Sequence, residues 1–518
     1  MKKISPVVIC FITIMLSSAN AQEFSISWGQ NTKDDSFGDA IVLPNGNYLL
    51  LKQPKIGRAT DPVLMVIDRD MQVVKEAPFE IPEKDVVSMD LKRFGGNAFY
   101  AYQVQNKKET SVYAVKLNQQ TLQQEGKFTL GTFDADGFGS YLKFLFKFSP
   151  DSSKVALFVE GFAKKKENKQ FYAAVFDTNL KRIWGRYIEL PFGGYEVTIE
   201  DQDITNEGKL FVAVKNYQKQ VNPYFIKNFE NQKVPPYDYK IFVYSNQGAP
   251  RQIGINLPSH LVAGTRLVFE KNGSTTIAGL YKKNPNGNVA GAFYTNFDSV
   301  ITEVNENKLL VFPQEILELV DKDGMGKSKG SDPGIYDYLR LRQIIPRNNG
   351  SVDLVSEVQT ETVTTQSDRN QFFYGKEYRR YGYGDIIILN MDKERRTRFT
   401  RVPKGQEGYQ SEWGLGYFPF VYADKLILLY NDHVDNIDKD LSKSPEHLAG
   451  SFKKCVLAAA IIDEKGNVTR KAIYNYRDDK RLALPKNFSR LSDTKVLIHS
   501  ITGAFMSYRL GFGLLSIK

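Results

Sequence analysis

The stretch FSPDSSKVALF, Phe148–Phe158, decides the fold of this chain. It consists of the end of one apolar strand, a turn of proline, aspartate and serine, and a second apolar strand. These turn residues favour a sharp reversal, because proline fixes φ and the short polar side chains bond to nearby backbone groups. The stretch therefore predicts a β-hairpin, and the fold depends on whether this hairpin stands alone or belongs to a repeat.

The hairpin recurs along the whole chain. An alternating apolar strand, a turn rich in Pro, Asn, Asp, Gly or Ser, and a stronger apolar strand occur at residues 40–51, 91–102, 146–159, 202–214, 267–280, 342–357, 419–430 and 489–500. A second type of hairpin lies between them, at residues 66–76, 115–125, 175–185, 243–253, 294–304, 389–399 and 461–471. The two types alternate, so each repeat has four antiparallel strands, and such a repeat is typical of a β-propeller.

The two ends of the chain complement each other. After the last hairpin there is room for one more strand, within residues 504–517, and Glu23–Gln30 forms a strand before the first hairpin. We expect the N-terminal strand to complete the last blade, since closure removes open sheet edges. The sequence thus predicts an all-β propeller of eight blades, or of seven if one weak unit is an insertion.

The opening hairpin resembles a known repeat. Phe148–Asp151 followed by Lys154–Leu157 is similar to the "FSPDG" repeat hairpin of TolB-like β-propellers, with Ser152 in place of the usual glycine. Arg401–Gln406 (RVPKGQ) and Tyr430–Asn436 (YNDHVDN) resemble segments of uncharacterised secreted bacterial proteins. These resemblances imply a propeller fold and carry no activity or catalytic residue with them.

Residues 1–21 have the pattern of a signal peptide. Lys2 and Lys3 precede a short apolar stretch, and Ala19-Asn20-Ala21 is a small-x-small cleavage site. We expect export to the periplasm or the cell exterior, with residues 22–518 as a single propeller domain; an uncleaved anchor is the alternative. Cys455 is the one cysteine left after cleavage, and its apolar surroundings predict a buried side chain.

The charge of the chain excludes few partners by itself. The formal net charge is +10, or about +8 without Lys2 and Lys3, and the basic residues are spread along the chain. No nucleic-acid motif accompanies this charge, and no second stretch is long and apolar enough to span a membrane. We expect a monomer that binds no nucleic acid and has no membrane span, with weak attraction to anionic envelope polymers as a secondary interpretation of the charge.

Long connections are predicted on one face of the ring. In an up-and-down blade, the connections between the second and third strands and those between blades emerge on the same face. The long ones are residues 218–239, 313–334, 364–385 and 431–454, whereas the hairpin turns on the other face are short. Long loops on a rigid scaffold are often functional, so we expect the insertion face to bind the partner.

One of these insertions interleaves aromatic and basic side chains. We expect a ligand-binding role for Tyr374, Tyr378, Arg379, Arg380 and Tyr381. Amphipathic rings beside guanidinium groups suit sugar faces, anionic glycans or a protein partner. The alternative is a flexible loop whose rings pack on the rim of the barrel.

Two further insertions contain acidic groups. Asp432 and His433 follow an apolar strand and are candidate ligand-binding residues, with an acid–base or metal role as one interpretation and a polar loop that caps the strand as the other. Asp321, Asp323 and Asp332 faintly resemble a calcium loop, but Met325 occupies a ligand position. We expect no metal and no cofactor.

The chain contains neither Gly-x-Ser-x-Gly nor His-Glu-x-x-His, and no phosphate-binding Gly-Lys-Ser/Thr loop. The sequence therefore favours an exported, non-catalytic binding or scaffold propeller whose insertion face contacts a protein or an envelope polysaccharide. The alternative is a glycan-acting hydrolase or lyase with carboxylates around the central channel, because scattered blade positions can supply such a site.

Overall fold

Eight antiparallel sheets form the blades of a β-propeller. The computed structural model describes residues 24–32, 35–54, 62–83, 85–106, 109–134, 143–160, 168–193, 197–217, 237–255, 257, 260–269, 275–283, 287–297, 308–323, 333–336, 338–366, 376–449, 452–503 and 508–518. The predicted propeller with eight blades is confirmed. The expected signal peptide lies outside the described residues.

The first four blades each contain four strands in chain order. They are β2 (Asp35–Val42), β3 (Tyr48–Pro54), β4 (Val63–Ile67) and β5 (Val73–Pro78); β6 (Val86–Phe94), β7 (Asn97–Gln105), β8 (Glu109–Leu117) and β9 (Gln124–Asp134); β10 (Lys143–Phe148), β11 (Lys154–Glu160), β12 (Asn168–Asp177) and β13 (Arg182–Gly193); β14 (Val197–Ile204), β15 (Leu210–Tyr217), β16 (Tyr237–Tyr244) and β17 (Arg251–Ile255).

Blades five to eight carry the additions to this plan. Their strands are β18 (Leu261–Phe269), β19 (Thr275–Lys282), β20 (Val289–Phe297) and β21 (Lys308–Val311); β22 (Leu339–Pro346), β23 (Val352–Gln366), β24 (Lys376–Met391) and β25 (Thr397–Val402), with β26 (Gln406–Tyr409) and β29 (Leu448–Ala449) added; β27 (Tyr417–Tyr422), β28 (Lys425–His433), β30 (Cys455–Ile462) and β31 (Val468–Asn475); β32 (Arg481–Ala483), β33 (Ser489–Arg490), β34 (Lys495–Thr502), β35 (Arg509–Ile517) and β1 (Phe24–Thr32).

Helices are few among the described residues. They are α1 (Gln314–Asp323), α2 (Tyr476–Asp479) and the 3₁₀ turns Val434–Asn436, Phe452–Lys454 and Pro485–Asn487. No described helix has the length and apolar character that a membrane crossing requires. Cys455 is buried, as expected, and burial raises the pKa of its thiol to about 12.

The predicted hairpins correspond closely to the observed strands. All eight hairpins of the first type and six of the second join paired strands. The exception is the hairpin expected at residues 294–304, because 298–307 lie outside the described residues and the outer strand of that blade is β21, further along the chain. Ser152, which takes the place of glycine in the opening turn, has φ of 56°, a left-handed conformation that glycine adopts most readily.

Hydrophobic clusters fill the spaces between blades. The first cluster joins blade 1 to blade 2 through residues such as Leu49 and Tyr100, and similar clusters follow around the ring. The last one joins blade 8 to blade 1 through Leu514 and Leu50. The first strands of neighbouring blades contact one another, which places them around the central channel.

The N-terminal strand closes the ring as predicted. β1 pairs antiparallel with β35, from Phe24 opposite Ile517 to Thr32 opposite Leu510, with a bulge between Trp28 and Asn31. It therefore forms the outer strand of blade 8, whose other strands come from the C-terminal end of the chain.

Candidate functional site

The best-described part of the insertion face lies above blades 6 and 7. Residues 376–385 and 431–449 belong to it. Most of the other predicted insertions, at 218–236, 324–332 and 367–375, lie outside the described residues. Tyr374 and most of the calcium-like segment fall within those ranges.

A β-ribbon stands on this face where a loop was expected. β23 and β24 run past the blade and stay paired as far as Gln366 opposite Lys376. β26 adds a third strand to β24, with Tyr409 opposite Arg380. The interpretation of Tyr378–Tyr381 as part of a flexible loop is therefore wrong: tyrosine favours a strand, and β23 and β26 pair with the backbone of β24 on its two sides.

The four predicted ribbon residues divide between two faces, because successive side chains of a strand point to opposite sides. Tyr378 and Arg380 lie on one face, and Arg379 and Tyr381 on the other. Arg380 donates to Glu407 Oε2 at 2.6 Å, and Arg379 donates to Glu361 Oε1 at 3.1 Å. Both guanidinium groups are about half exposed and already paired, so neither is a free cation.

The most exposed aromatic side chains on this face are only partly those that the sequence indicated. Tyr378 is 45% exposed, while Tyr409 and Trp413, which sequence reasoning missed, are 57% and 47% exposed. The Arg380 guanidinium lies 5.7 Å from the ring centre of Tyr409, and Trp413 meets Tyr508 edge to face at 4.9 Å. The insertion face therefore has two exposed aromatic patches, Tyr378 with Tyr409 and Trp413 with Tyr508, and paired charges lie around them.

A buried ion pair, Lys404 with Glu357, holds the ribbon to the blade. The Lys404 ammonium lies 2.8 Å from Glu357 Oε1 and also donates to the Tyr383 carbonyl and to Gln406 Oε1. Burial lowers the pKa of Lys404, and the Glu357 carboxylate opposes that effect. Lys404 and Gln406 belong to the RVPKGQ segment, for which the sequence indicated no role. In the structure this segment connects the ribbon to blade 6.

Arg401, from the same segment, forms a second buried ion pair. Its Nε donates to Asp385 Oδ2 at 2.7 Å, and the other Asp385 oxygen accepts from the Lys404 backbone N–H at 3.1 Å. Arg401 also donates to the Leu441 carbonyl at 2.8 Å, which ties the 431–454 insertion to blade 6.

Asp432 and His433 end the apolar strand β28 rather than follow it. Asp432 Oδ1 accepts from the His433 N–H at 2.8 Å and from the Asn436 side chain at 2.7 Å. His433 Nδ1 accepts from the Asp435 N–H at 3.3 Å and so caps the 3₁₀ turn. Asp432 is buried, and its Oδ2 has no hydrogen-bond partner in the described part of the chain. Their ligand-binding role stays a prediction.

Asp432 makes the stability of the fold depend on pH. Burial raises the pKa of its carboxyl group from 3.8 to about 6, so the folded state retains the proton that the unfolded state has lost. This proton stabilises the folded state fully at pH values below the pKa of the unfolded state, 3.8, and the stabilisation is lost as pH rises through about 6. The free energy of unfolding falls by on the order of 3 kcal/mol over this range.

We expect Asp432→Asn to remove this dependence. The amide oxygen can accept the same two hydrogen bonds, so the difference in unfolding free energy between variant and parent should grow by about 2–3 kcal/mol in favour of the variant from about pH 4 to pH 7. Denaturant unfolding of both proteins at several pH values measures it. A difference that stays constant across this range would contradict the assignment.

The channel wall of blade 4 carries an acidic strand that the sequence analysis missed. β14 contains Glu200, Asp201 and Asp203, and Glu200 occupies a β-bulge. Burial raises the pKa of Glu200 and raises that of Asp203 from 3.8 to about 6. The signal that the sequence offers is three acidic residues within one short strand, IEDQDI at residues 199–204.

Basic groups from neighbouring blades surround this strand. Lys147 Nζ on β10 lies 3.9 Å from Asp201 Oδ1, and the Leu267 N–H on β18 donates to Asp201 Oδ2 at 2.9 Å. Arg266 donates to the backbone carbonyl of Glu200 at 2.8 Å. The carboxylate of Glu200 takes no part in this hydrogen bond. The arrangement places two carboxyl groups whose pKa is raised by burial, that of Asp203 to about 6, beside the cations of Lys147 and Arg266, a combination able to transfer protons.

A cleft also opens on the opposite face. It has a volume of about 550 Å³ between the hairpin turns of blades 6 and 7, and its walls include Asn390, Asp392, Arg396 and Lys465. Arg396 is paired with Asp392 at 2.7 Å. The cleft is polar, and it offers an alternative location for a ligand that any test of the insertion face has to exclude.

The described residues contain no group of three His, Cys, Asp or Glu side chains arranged to hold a metal ion. Asp432 and His433 do not converge with a third such ligand in the described structure, and His433 uses Nδ1 as a cap.

Comparisons with known proteins give only distant likenesses. No family model matches the chain, and no curated protein matches it. Among solved structures it is similar to a protein of unknown function from Dyadobacter fermentans, with 10% identity, 74% of this chain and 95% of that chain covered, and a TM-score of 0.32.

Two enzymes show similar distant likenesses. The polysaccharide lyase Uly1 has 9% identity over 96% of this chain and 99% of its own, with a TM-score of 0.36. Prolyl oligopeptidase B from Galerina marginata has 11% identity over 93% of this chain and 55% of its own, with a TM-score of 0.38. At these values the likenesses do not bear on what the chain does.

Proposed function

We propose that the protein is an exported, non-catalytic binding propeller of the periplasm or cell exterior, and that its insertion face binds an envelope glycan. The observation that carries this proposal is the set of exposed rings Tyr378, Tyr409 and Trp413 on one rigid, ribbon-bearing face. Rings of this kind stack on sugar faces and bury area at low entropic cost.

The charges around these rings favour binding over catalysis. Glu407 is held by Arg380 and His447, and Glu412 by Lys486 and Tyr383. These partners lower the pKa of both carboxyl groups, although partial burial acts in the opposite sense, so neither is a proton donor at neutral pH. The rings are separated by paired charges, which suits a hydroxyl-rich glycan better than the apolar centre of a protein interface.

Replacement of the three rings tests the proposal. Tyr378→Ser, Tyr409→Ser and Trp413→Ser together should weaken binding to immobilised envelope polysaccharides by roughly a hundredfold or more, because each ring supplies stacking area. The fold should be unchanged, since all three side chains are about half exposed. The measurement is a titration on a polysaccharide array, with a peptide array in parallel.

The matched control changes the cleft on the opposite face, with Lys393→Ser and Arg396→Ser. These substitutions should leave binding intact. Binding that is lost in the cleft variant and kept in the ring variant would place the site on the opposite face, and binding to peptides alone would make the partner a protein.

A second candidate function is glycan hydrolysis or elimination in the central channel, and the acidic strand β14 favours it. If the protein turns over a polysaccharide, Asp203→Asn should reduce the rate by at least about a hundredfold, because a general acid contributes that much. Asp90→Asn, which removes a channel carboxylate paired with Lys92 at 2.8 Å, is the control and should retain activity. Turnover that depends on Asp203 would overturn the non-catalytic proposal.

A further inference from the structure

The ribbon has a strand edge without a described partner. β23 pairs with β24 over its whole length, but β22 covers only its first part and ends opposite Val358. The last backbone link on that side is the Gln359 N–H, which donates to the Tyr338 carbonyl at 2.9 Å. From Thr360 to Gln366, the described structure pairs β23 on one side alone.

The backbone groups on this edge are defined by strand geometry. The N–H and C=O groups of successive residues point to alternate sides of a strand. The backbone N–H of Gln359 points away from β24, towards Tyr338. The backbone N–H and C=O groups of Glu361, Val363 and Thr365, which follow at intervals of two residues, therefore point away from β24 as well. Each of these residues offers one donor and one acceptor, and the side chain of Val363 is 48% exposed.

The outer strands of the blades carry features that discourage edge pairing, whereas the described part of this edge has only Glu361, which is paired with Arg379. The outer strand of each of the first seven blades contains at least one lysine or arginine. β1, the outer strand of blade 8, contains a bulge. Such features discourage pairing between edges. Residues 360–366, TETVTTQ, contain no lysine, arginine, proline or glycine, and most are β-branched.

We propose that this edge pairs antiparallel with the same edge of a second copy, about a two-fold axis at Val363. The register is self-complementary. Val363 faces Val363 of the second copy, Glu361 faces Thr365, and Thr362 faces Thr364, a favourable cross-strand pair. No like charges oppose each other, and Arg379 already neutralises Glu361 within its own ribbon.

The dimer joins the two ribbons into one continuous sheet. In each ribbon, Tyr378, Arg380 and Tyr409 lie on one face. The dimer therefore has two copies of this group of three side chains. The dimer takes the place of the monomer that we expected from the sequence. It does not depend on the proposed ligand, because the pairing uses the edge of the ribbon and not its aromatic face.

Sedimentation of the full mature chain over a wide concentration range tests the dimer. The parent should reach the mass of two chains, and Val363→Lys should stay at the mass of one, because it places two ammonium groups together at the axis. Val311→Lys is the matched control: Val311 is 64% exposed on β21, and its replacement should not affect assembly. A parent that stays at one chain at every concentration, or a dimer that survives Val363→Lys, overturns the proposal.

A cysteine at the axis gives an independent measurement. Directly opposed hydrogen-bonded residues have Cα atoms about 5.5 Å apart, within the disulfide range of about 4.4–6.8 Å. Val363→Cys should therefore form a dimer on oxidation, visible by non-reducing electrophoresis, while Val311→Cys should not. The buried Cys455 does not interfere. Absence of the crosslink, or equal crosslinking of both variants, overturns the proposal.

Discussion

A chain that lacks β1, Phe24–Thr32, is expected to lose most of its folding stability. The deletion leaves the β35 edge unpaired and removes Trp28 from its contacts with Tyr474, at 5.2 Å, and with the Arg481 guanidinium, at 4.7 Å. The lost ladder bonds and apolar burial amount to on the order of 5–10 kcal/mol, which is comparable to the whole stability of a typical domain. Calorimetry of the chain that begins at Gln22 and of the shortened chain measures this loss.

Two controls separate closure from the loss of any N-terminal segment. Ser25→Ala with Ser27→Ala keeps the strand and changes only exposed side chains, so it should melt like the parent. A peptide with the sequence of Phe24–Thr32, added to the shortened chain, should restore part of the lost stability. If the shortened chain melts at the temperature of the parent, the ring does not need its N-terminal strand.

The second large effect is expected from Lys404→Met. This change leaves the Glu357 carboxylate buried without its cation, and breaking such a pair costs about 3–5 kcal/mol. Guanidinium unfolding measures the loss. The combined variant Lys404→Met with Glu357→Leu should recover most of the stability, because two apolar side chains can replace a buried ion pair at little cost.

Lys393→Met is the matched control for this experiment. Lys393 is mostly exposed and approaches Glu394 only at 3.7 Å, so its replacement should change the unfolding free energy by no more than about 0.5 kcal/mol. A Lys404→Met variant as stable as this control would show that the Lys404–Glu357 ion pair does not hold the ribbon.

The hairpins could be predicted because their determinants are local. In Phe148–Phe158 the turn residues and both strands lie within a few positions of each other, and the same is true of the other repeats. Alternation of two hairpin types then fixed the four-stranded blade. The hairpin at 294–304 was placed less well, because its turn carries weaker signals and the outer strand β21 lies further along the chain.

The candidate site could be predicted only in part. The aromatic and basic composition indicated Tyr378 and Arg380, but Tyr409 and Trp413 belong to a segment that shows no comparable pattern. The position of Tyr409 opposite Arg380 depends on the pairing of β24 with β26, and Trp413 packs against Tyr508 from a distant part of the chain, and no local signal specifies either contact. A ligand-binding role was predicted for Arg379 and Arg380, whose carboxylate partners in the structure are supplied by other strands.

The sequence by itself determined the repeat, the number of strands in each blade and the closing role of the N-terminal strand, because turn chemistry and apolar alternation act between near neighbours. The tertiary structure alone decided which charges are buried, paired or free. Lys404 with Glu357, and Asp203 near Lys147, meet only when separate strands or blades pack together. Burial and ion pairing depend on such distant neighbours, so the chemistry of the channel and of the ribbon base appears only in the folded ring.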